Sequence, residues 1–228
     1  NTGALLVVSK LNLKMIENID KPALSALWPN KKGMSVVLDL GANIDCSSKN
    51  LLDFSIMGAS LYTSLYPKEK PNVALLNIGS EELKGNEIIK ETYQILNDKK
   101  SENYNFAGYI EGNHLMDGQV NVIVSDGFTG NIALKTAEGT ANFITSELKN
   151  SMTGSFLGKI SSLINIRNLR KFKKRLDPRL YNGAIFIGLA SPVVKSHGGT
   201  DYIGFANSLD VCHRIVKGNL IQKIKQNI

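Results

Sequence analysis

Short runs of β-branched and aliphatic residues alternate along this chain with longer stretches of helical spacing, and that alternation limits the fold more than any other feature. The runs lie at 24–28, 35–40, 72–78, 105–110, 120–124 and 184–190, and the helical stretches at 2–12, 49–66, 81–96, 130–149 and 200–217. Alternating β and α predicts a sheet with helices packed on its faces. Within Val36-Val37-Leu38-Asp39-Leu40 the apolar residues are consecutive, as a strand covered on both sides requires. With 228 residues, 43% hydrophobic and 21% charged, the chain is long enough for a sizeable core and too apolar to be disordered. No apolar run reaches the roughly 18–20 residues that span a bilayer. The chain opens Asn1-Thr2-Gly3-Ala4 without an initiator Met, so it reads as part of something longer.

The charge is localised. Residues 151–182 hold eight bases and one acid, a surplus of seven that equals the net charge of the whole chain, and the other residues balance at 19 of each sign. Three units follow from this: 1–150 as the α/β body, 151–182 as a basic segment, and 183–228 as the return to the body. Phe156, Leu157, Ile160, Leu163 and Ile164 share one helical face, whereas Leu169, Phe172 and Leu176 fall opposite if the helix continues straight. A break near 165–168 would turn both stripes the same way. Two short helices with apolar stripes and Arg/Lys flanks suit an anionic membrane surface. A hairpin that packs a dimer partner is the other reading, and both can hold together. Aromatic residues are too sparse there for a single-strand nucleic-acid platform, so no nucleic acid is expected.

Two cysteines, Cys46 and Cys212, build no disulfide framework, and no His/Cys cluster has zinc spacing, so a reducing, cytoplasmic setting without metal is expected. G-x-G-x-x-G and G-x-S-x-G are absent, and 154–160 only imitates a P-loop, with a short spacer and Ile after the Lys. Four expected strand ends carry glycine beside polar side chains: Asp39-Leu40-Gly41-Ala42-Asn43, Asn77-Ile78-Gly79-Ser80-Glu81, Ser125-Asp126-Gly127-Phe128-Thr129-Gly130-Asn131 and Lys195-Ser196-His197-Gly198-Gly199-Thr200. Such loops, each followed by a helix N-terminus, suit a phosphate or carboxyl ligand, although glycine and Asx residues also simply make turns. Of the histidines, His213 reads as structural, and His197 beside two glycines as a candidate for ligand contact.

The stretches VVLDLGANIDC (36–46), VALLNIGSEELKGNEIIKETYQIL (73–96), VNVIVSDGFTGNIALKTAEG (120–139) and VVKSHGGTD (193–201) closely resemble, in order, the phosphate acyltransferases of the PlsX type. The resemblance runs from Asn1 to about Asn219 and implies a further N-terminal part in the whole enzyme. It implies a three-layer, Rossmann-like open sheet of the isocitrate/isopropylmalate dehydrogenase and phosphotransacetylase type, with a protruding basic helical hairpin. The implied reaction passes a fatty acyl group from acyl carrier protein to inorganic phosphate, giving acyl phosphate for phospholipid synthesis without a cofactor. A homodimer, peripheral membrane attachment and a membrane acyltransferase that accepts the product are implied with it. A phosphotransacetylase-like enzyme using coenzyme A thioesters, or a non-catalytic basic binding module, remains the alternative.

Such an attack needs a held phosphate dianion and a polarised carbonyl. Lys84, expected near the start of a helix, can neutralise phosphate, with Gly85 allowing close approach; on residue type alone a surface lysine is the stronger reading. Asn131, expected to open its helix, can donate to the oxyanion or act as an N-cap. The resemblance places catalytic weight on Lys84. Asn1, Thr2, Gly3, Asp39, Asn43, Gly79, Glu81, Gly85, Asn86, Asp126, Gly127, Gly130, His197 and Gly198 are the expected substrate-binding residues. Direct transfer without an acyl-enzyme is expected, because neither cysteine lies in a glycine-rich loop.

Overall fold

The computed structural model describes residues 2–228. One seven-stranded sheet, ordered β4-β3-β5-β2-β1-β6-β7, is built from β1 (Ala23–Pro29), β2 (Met34–Leu38), β3 (Asn72–Asn77), β4 (Asn105–Glu111), β5 (Val122–Val124), β6 (Ala184–Ile187) and β7 (Val193–Lys195). Strands β4, β3, β5 and β2 run parallel, and β1, β6 and β7 continue the sheet with antiparallel pairings. The carboxyl ends of β2, β3, β4, β5 and β6 therefore share one edge, and those of β1 and β7 lie at the opposite edge.

The helices are α1 (Thr2–Leu13), α2 (Ser48–Leu65), α3 (Glu87–Asp98), α4 (Gly127–Thr153), α5 (Phe156–Ile164), α6 (Ile166–Arg175), α7 (Tyr202–Lys217) and α8 (Leu220–Asn227). Alternate strand residues feed two cores. Val36, Leu38, Val73, Leu75, Val122 and Val124 point to the face covered by Phe54 and Leu61 of α2, Ile89 of α3, Ile215 of α7 and Ile224 of α8. Val37, Ala74, Ile123 and Phe186 point to the other face, against Leu6 of α1 and Ala133, Leu134 and Ala137 of α4. Both faces of the central strands are apolar because both are covered, the arrangement read from Val36 to Leu40. Each aliphatic side chain so buried contributes about 1.5–3 kcal/mol.

Local signals place the helix starts. Ser47 and Asn50 form a reciprocal capping box on α2. Asn86 caps α3, so α3 begins at Glu87 and not at Glu81; Lys84 therefore sits in the loop before the helix. Asp126 caps α4, so Asn131 lies one turn inside that helix and is not its cap. The expected strands at 120–124 and 184–190 are shorter than their apolar runs, β7 supplies the strand end expected at Lys195, and α8 is not among the expected helices.

The 27 residues of α4 make a rod of about 40 Å, against about 17 Å for the five residues of β2. Packing against the core ends at Ala137, so the second half of α4 runs on past the sheet. Helix α5 folds back against it, with Ser162 Oγ donating to Met152 O at 3.0 Å. The break falls at Asn165, within the expected interval. Arg175 Nη2 then donates to Asn30 O at 3.2 Å, tying the returning chain to the β1–β2 turn at the far edge.

The start of α4 meets the end of β2 with no space left. A Cβ on Gly130 would stand 1.9 Å from the backbone oxygen of Asp39. Gly130→Ala should therefore lower stability by about 1–3 kcal/mol despite the better helix propensity of alanine, as measured by denaturant unfolding.

Candidate active site

Asp39 organises the edge at which the parallel strands end. Its side chain is fully buried. Oδ1 accepts from the backbone N–H groups of Leu24 (2.9 Å), Gly41 (3.2 Å) and Ala42 (2.9 Å), and Oδ2 from Asn43 N (2.8 Å) and Asn43 Nδ2 (2.8 Å). Burial pushes this carboxyl above its usual range, and the donors from Ala42, Leu24 and Asn43 pull it part of the way back. Asn43 spends its other amide hydrogen on Pro22 O at 2.7 Å. Asp39 and Asn43, both expected substrate-binding residues, spend these side-chain hydrogen bonds on holding the 39–43 loop.

The α4 N-terminus docks on this loop. Gly127 N donates to Asn43 O at 2.8 Å, and a Cβ on Gly127 would lie 2.3 Å from that same oxygen. Asp126 accepts from Thr129 N and Thr129 Oγ1, each at 2.8 Å. Exposed Asn131 faces Gly41, and among the described residues its amide makes no hydrogen bond.

The loop after β3 is folded as tightly. Asn77 Nδ2 donates to Lys84 O at 3.1 Å, and Lys84 N to Glu81 O at 3.0 Å. Gly85 takes φ +94° with Asn77 Oδ1 against it, which a side chain would block. Glu81 and the stem of Lys84 lie over buried Gly79, at 2.7 Å and 3.0 Å from where its Cβ would stand. Lys84 is exposed, and among the described residues its ammonium has no ion-pair partner.

Between these loops opens a cleft of about 270 Å³ lined by Ile44, Asp45, Cys46, Leu51, Asn86, Ile88, Ile89, Asp126, Phe128 and Thr129. The starts of α3 and α4 form two of its sides. Sequence reasoning reached only Asn86 and Asp126 of this lining, because its apolar members are ordinary helix and loop residues until the fold joins them. Lys84 stands on the adjoining loop after β3 and Asn131 in the second turn of α4, and neither is in the lining.

The structure thus brings together Asp39, Asn43, Gly79, Glu81, Lys84, Gly85, Asn86, Asp126, Gly127, Gly130 and Asn131. His197 and Gly198 are not among them. They follow β7, which runs antiparallel to β6, and so lie at the far edge, where His197 N donates to Asn182 Oδ1 at 2.9 Å. A glycine-rich strand end reaches a site only when its strand points that way. Thr2 and Gly3 open α1, and a Cβ on Gly3 would meet nothing within 4 Å; Asn1 lies outside the described residues.

Cys46 lies buried at the cleft floor, and burial together with the nearby charge of Asp39 pushes its thiol up to about 11. Among the described residues no group of three His, Cys, Asp or Glu side chains is placed to hold a metal ion.

Comparison with known proteins adds three findings. Residues 1–223 match the family described as fatty acid synthesis protein. The phosphate acyltransferase of Pelagibacter ubique is 79% identical over the full chain, which covers 68% of that protein, and the phosphate acyltransferase of Paramagnetospirillum magneticum is 46% identical over 99% of the chain and 64% of that protein. The chain thus spans about two thirds of the length of these relatives. Among solved structures, EutD phosphotransacetylase from Staphylococcus aureus aligns over 92% of this chain and 58% of that one with TM-score 0.59 at 15% identity, a likeness of fold.

A thiol held protonated is a poor nucleophile. At neutral pH, Cys46 should react with iodoacetamide at least about 100-fold more slowly than an unperturbed cysteine, with the rate climbing as pH approaches 11. Peptide mapping after timed alkylation checks this.

Proposed function

The chain belongs to the fatty acid synthesis protein family of phosphate acyltransferases, and from that premise we propose that it carries the site at which a fatty acyl group passes from acyl carrier protein to inorganic phosphate. A phosphate oxygen bonds to the thioester carbonyl carbon, the carbon–sulfur bond breaks, and the proton carried by the phosphate ends on the departing sulfur. The products are acyl phosphate and free carrier thiol.

The observation that carries this reading is the pairing, at one sheet edge, of two polar groups without partners among the described residues. The Lys84 ammonium stands on a loop folded around two glycines, and the Asn131 amide stands beside Gly41. Lys84 offsets the phosphate dianion, and Asn131 donates to the oxygen that gains charge in the transition state. The buried, protonated Cys46 supports direct attack by phosphate over an acyl-enzyme. The likeness in fold to phosphotransacetylases keeps coenzyme A thioesters as the second reading.

The basic hairpin supports peripheral attachment to an anionic membrane, with a dimer partner packing on the same segment. Phe156 and Leu157 are 79% and 76% exposed, and Lys173, Lys174 and Arg175 close α6. No helix among the described residues is long and apolar enough to cross a membrane. From such a surface the product would pass to a membrane acyltransferase.

In the whole enzyme, Lys84→Ala and Asn131→Ala should each lower phosphate-dependent release of carrier thiol at least about 100-fold with an unchanged unfolding midpoint. Near-normal turnover in either removes that residue from the mechanism, and faster turnover of acetyl coenzyme A would favour the second reading. Replacing Leu157, Ile160 and Ile164 together by Asp should abolish flotation with anionic liposomes and spare turnover in solution. A change of sedimentation to monomer without any lipid effect would assign the stripe to dimer packing alone.

A further inference from the structure

We propose that the cleft between the starts of α3 and α4 receives the acyl chain of the substrate, with the thioester left beside Lys84 and Asn131. The proposal rests on the acyltransferase reading above and names the part of that site which selects the chain. Ile44, Cys46, Leu51, Ile88, Ile89 and Phe128 give the cleft an apolar wall and floor. Two of them reach far into solvent, Ile44 at 73% and Phe128 at 60% exposure, beside loops that are otherwise polar. Exposed large apolar groups gathered at a concave site mark a place where apolar matter binds.

The charges of the lining argue against the phosphate as its occupant. Asp45 and Asp126 line the cleft, and no Lys, Arg or His does. Lys21, outside the lining, donates its ammonium to Asp45 O at 2.8 Å. An anion entering here would meet two carboxylates with no base in the lining, whereas a neutral hydrocarbon chain meets no like charge and can pack on the six apolar side chains. Cys46 suits this use, because a protonated buried thiol behaves as a small apolar side chain. Phosphate and chain would then approach the thioester carbonyl from different loops, each matched to one of them.

Ile88→Trp narrows the cleft from the first turn of α3, and Ile44→Asp sets a third carboxylate at its mouth; both positions are exposed, so neither change must disturb the core. Two readouts on the intact enzyme test the proposal. One is the ratio of kcat/KM for hexadecanoyl and butanoyl thioesters of the carrier protein. The other is calorimetric binding of dodecyl and ethyl thioethers of pantetheine, which have no carbonyl to attack. In each variant both the kcat/KM ratio and the dodecyl preference should fall at least about tenfold, as if about two methylenes were left unburied. Variants that keep the parent ratio, or that lose short and long chains equally, would overturn the assignment, as would a parent that binds both thioethers alike. A parent that prefers the dodecyl thioether, loses that preference in both variants, and turns over no acyl thioester would sink the acyltransferase reading while leaving the cleft as an apolar chain site.

Discussion

The buried carboxylate of Asp39 is the interaction on which the rest of the site depends. A lone ionised group in such a place would cost several kcal/mol. Five N–H donors from Leu24, Gly41, Ala42 and Asn43 offset that cost and, in doing so, leave the 39–43 loop a single shape. The shape matters because α4 is seated on it through two glycines that admit no side chain. Move the loop by one ångström and the start of α4, with Asp126 and Asn131, moves with it.

Opposite physical demands are met on neighbouring loops. Around Gly79 and Gly85 the backbone is compact, and the exposed ammonium of Lys84 shares the loop with the carboxylate of Glu81. A few residues further on, α3 contributes Ile88 and Ile89 to a cleft that contains carboxylates and hydrocarbon but no base. The proposed transfer of an acyl chain to phosphate calls for both environments near one carbonyl, and the sheet ends its four parallel strands at one edge. The basic hairpin leaves the body along α4, and its returning end is tied to the β1–β2 turn at the far edge.

Several features were legible beforehand for local reasons. The consecutive apolar residues from Val36 to Leu40 announced a covered strand, and the opposed stripes of 156–164 and 169–176 demanded the break found at Asn165. Helix starts were read less well. Gly130 was taken to open α4, although Asp126 with Thr129 three residues on is the stronger cap, and Glu81 to open α3, although Asn86 caps it. The α3 pattern extends upstream past the side chain that caps the helix, and the α4 pattern begins three residues after the first helical residue, Gly127. Lys84 was placed on a helix by the same error and is in the loop that aims it.

The sequence by itself determined the fold class, the covered central strands, the localisation of charge and the residue types at each strand end, because all of these depend on spacing of a few residues. Which strand ends meet was decided only by the tertiary structure. Four glycine-rich loops look alike along the chain, yet β7 runs antiparallel to β6, and that reversal carries His197 and Gly198 to the far edge. The cleft has no sequence signature either. Its walls come from 44–51, 86–89 and 126–129, three stretches separated by tens of residues, and a cavity is a property of surfaces that face one another, which no local pattern records.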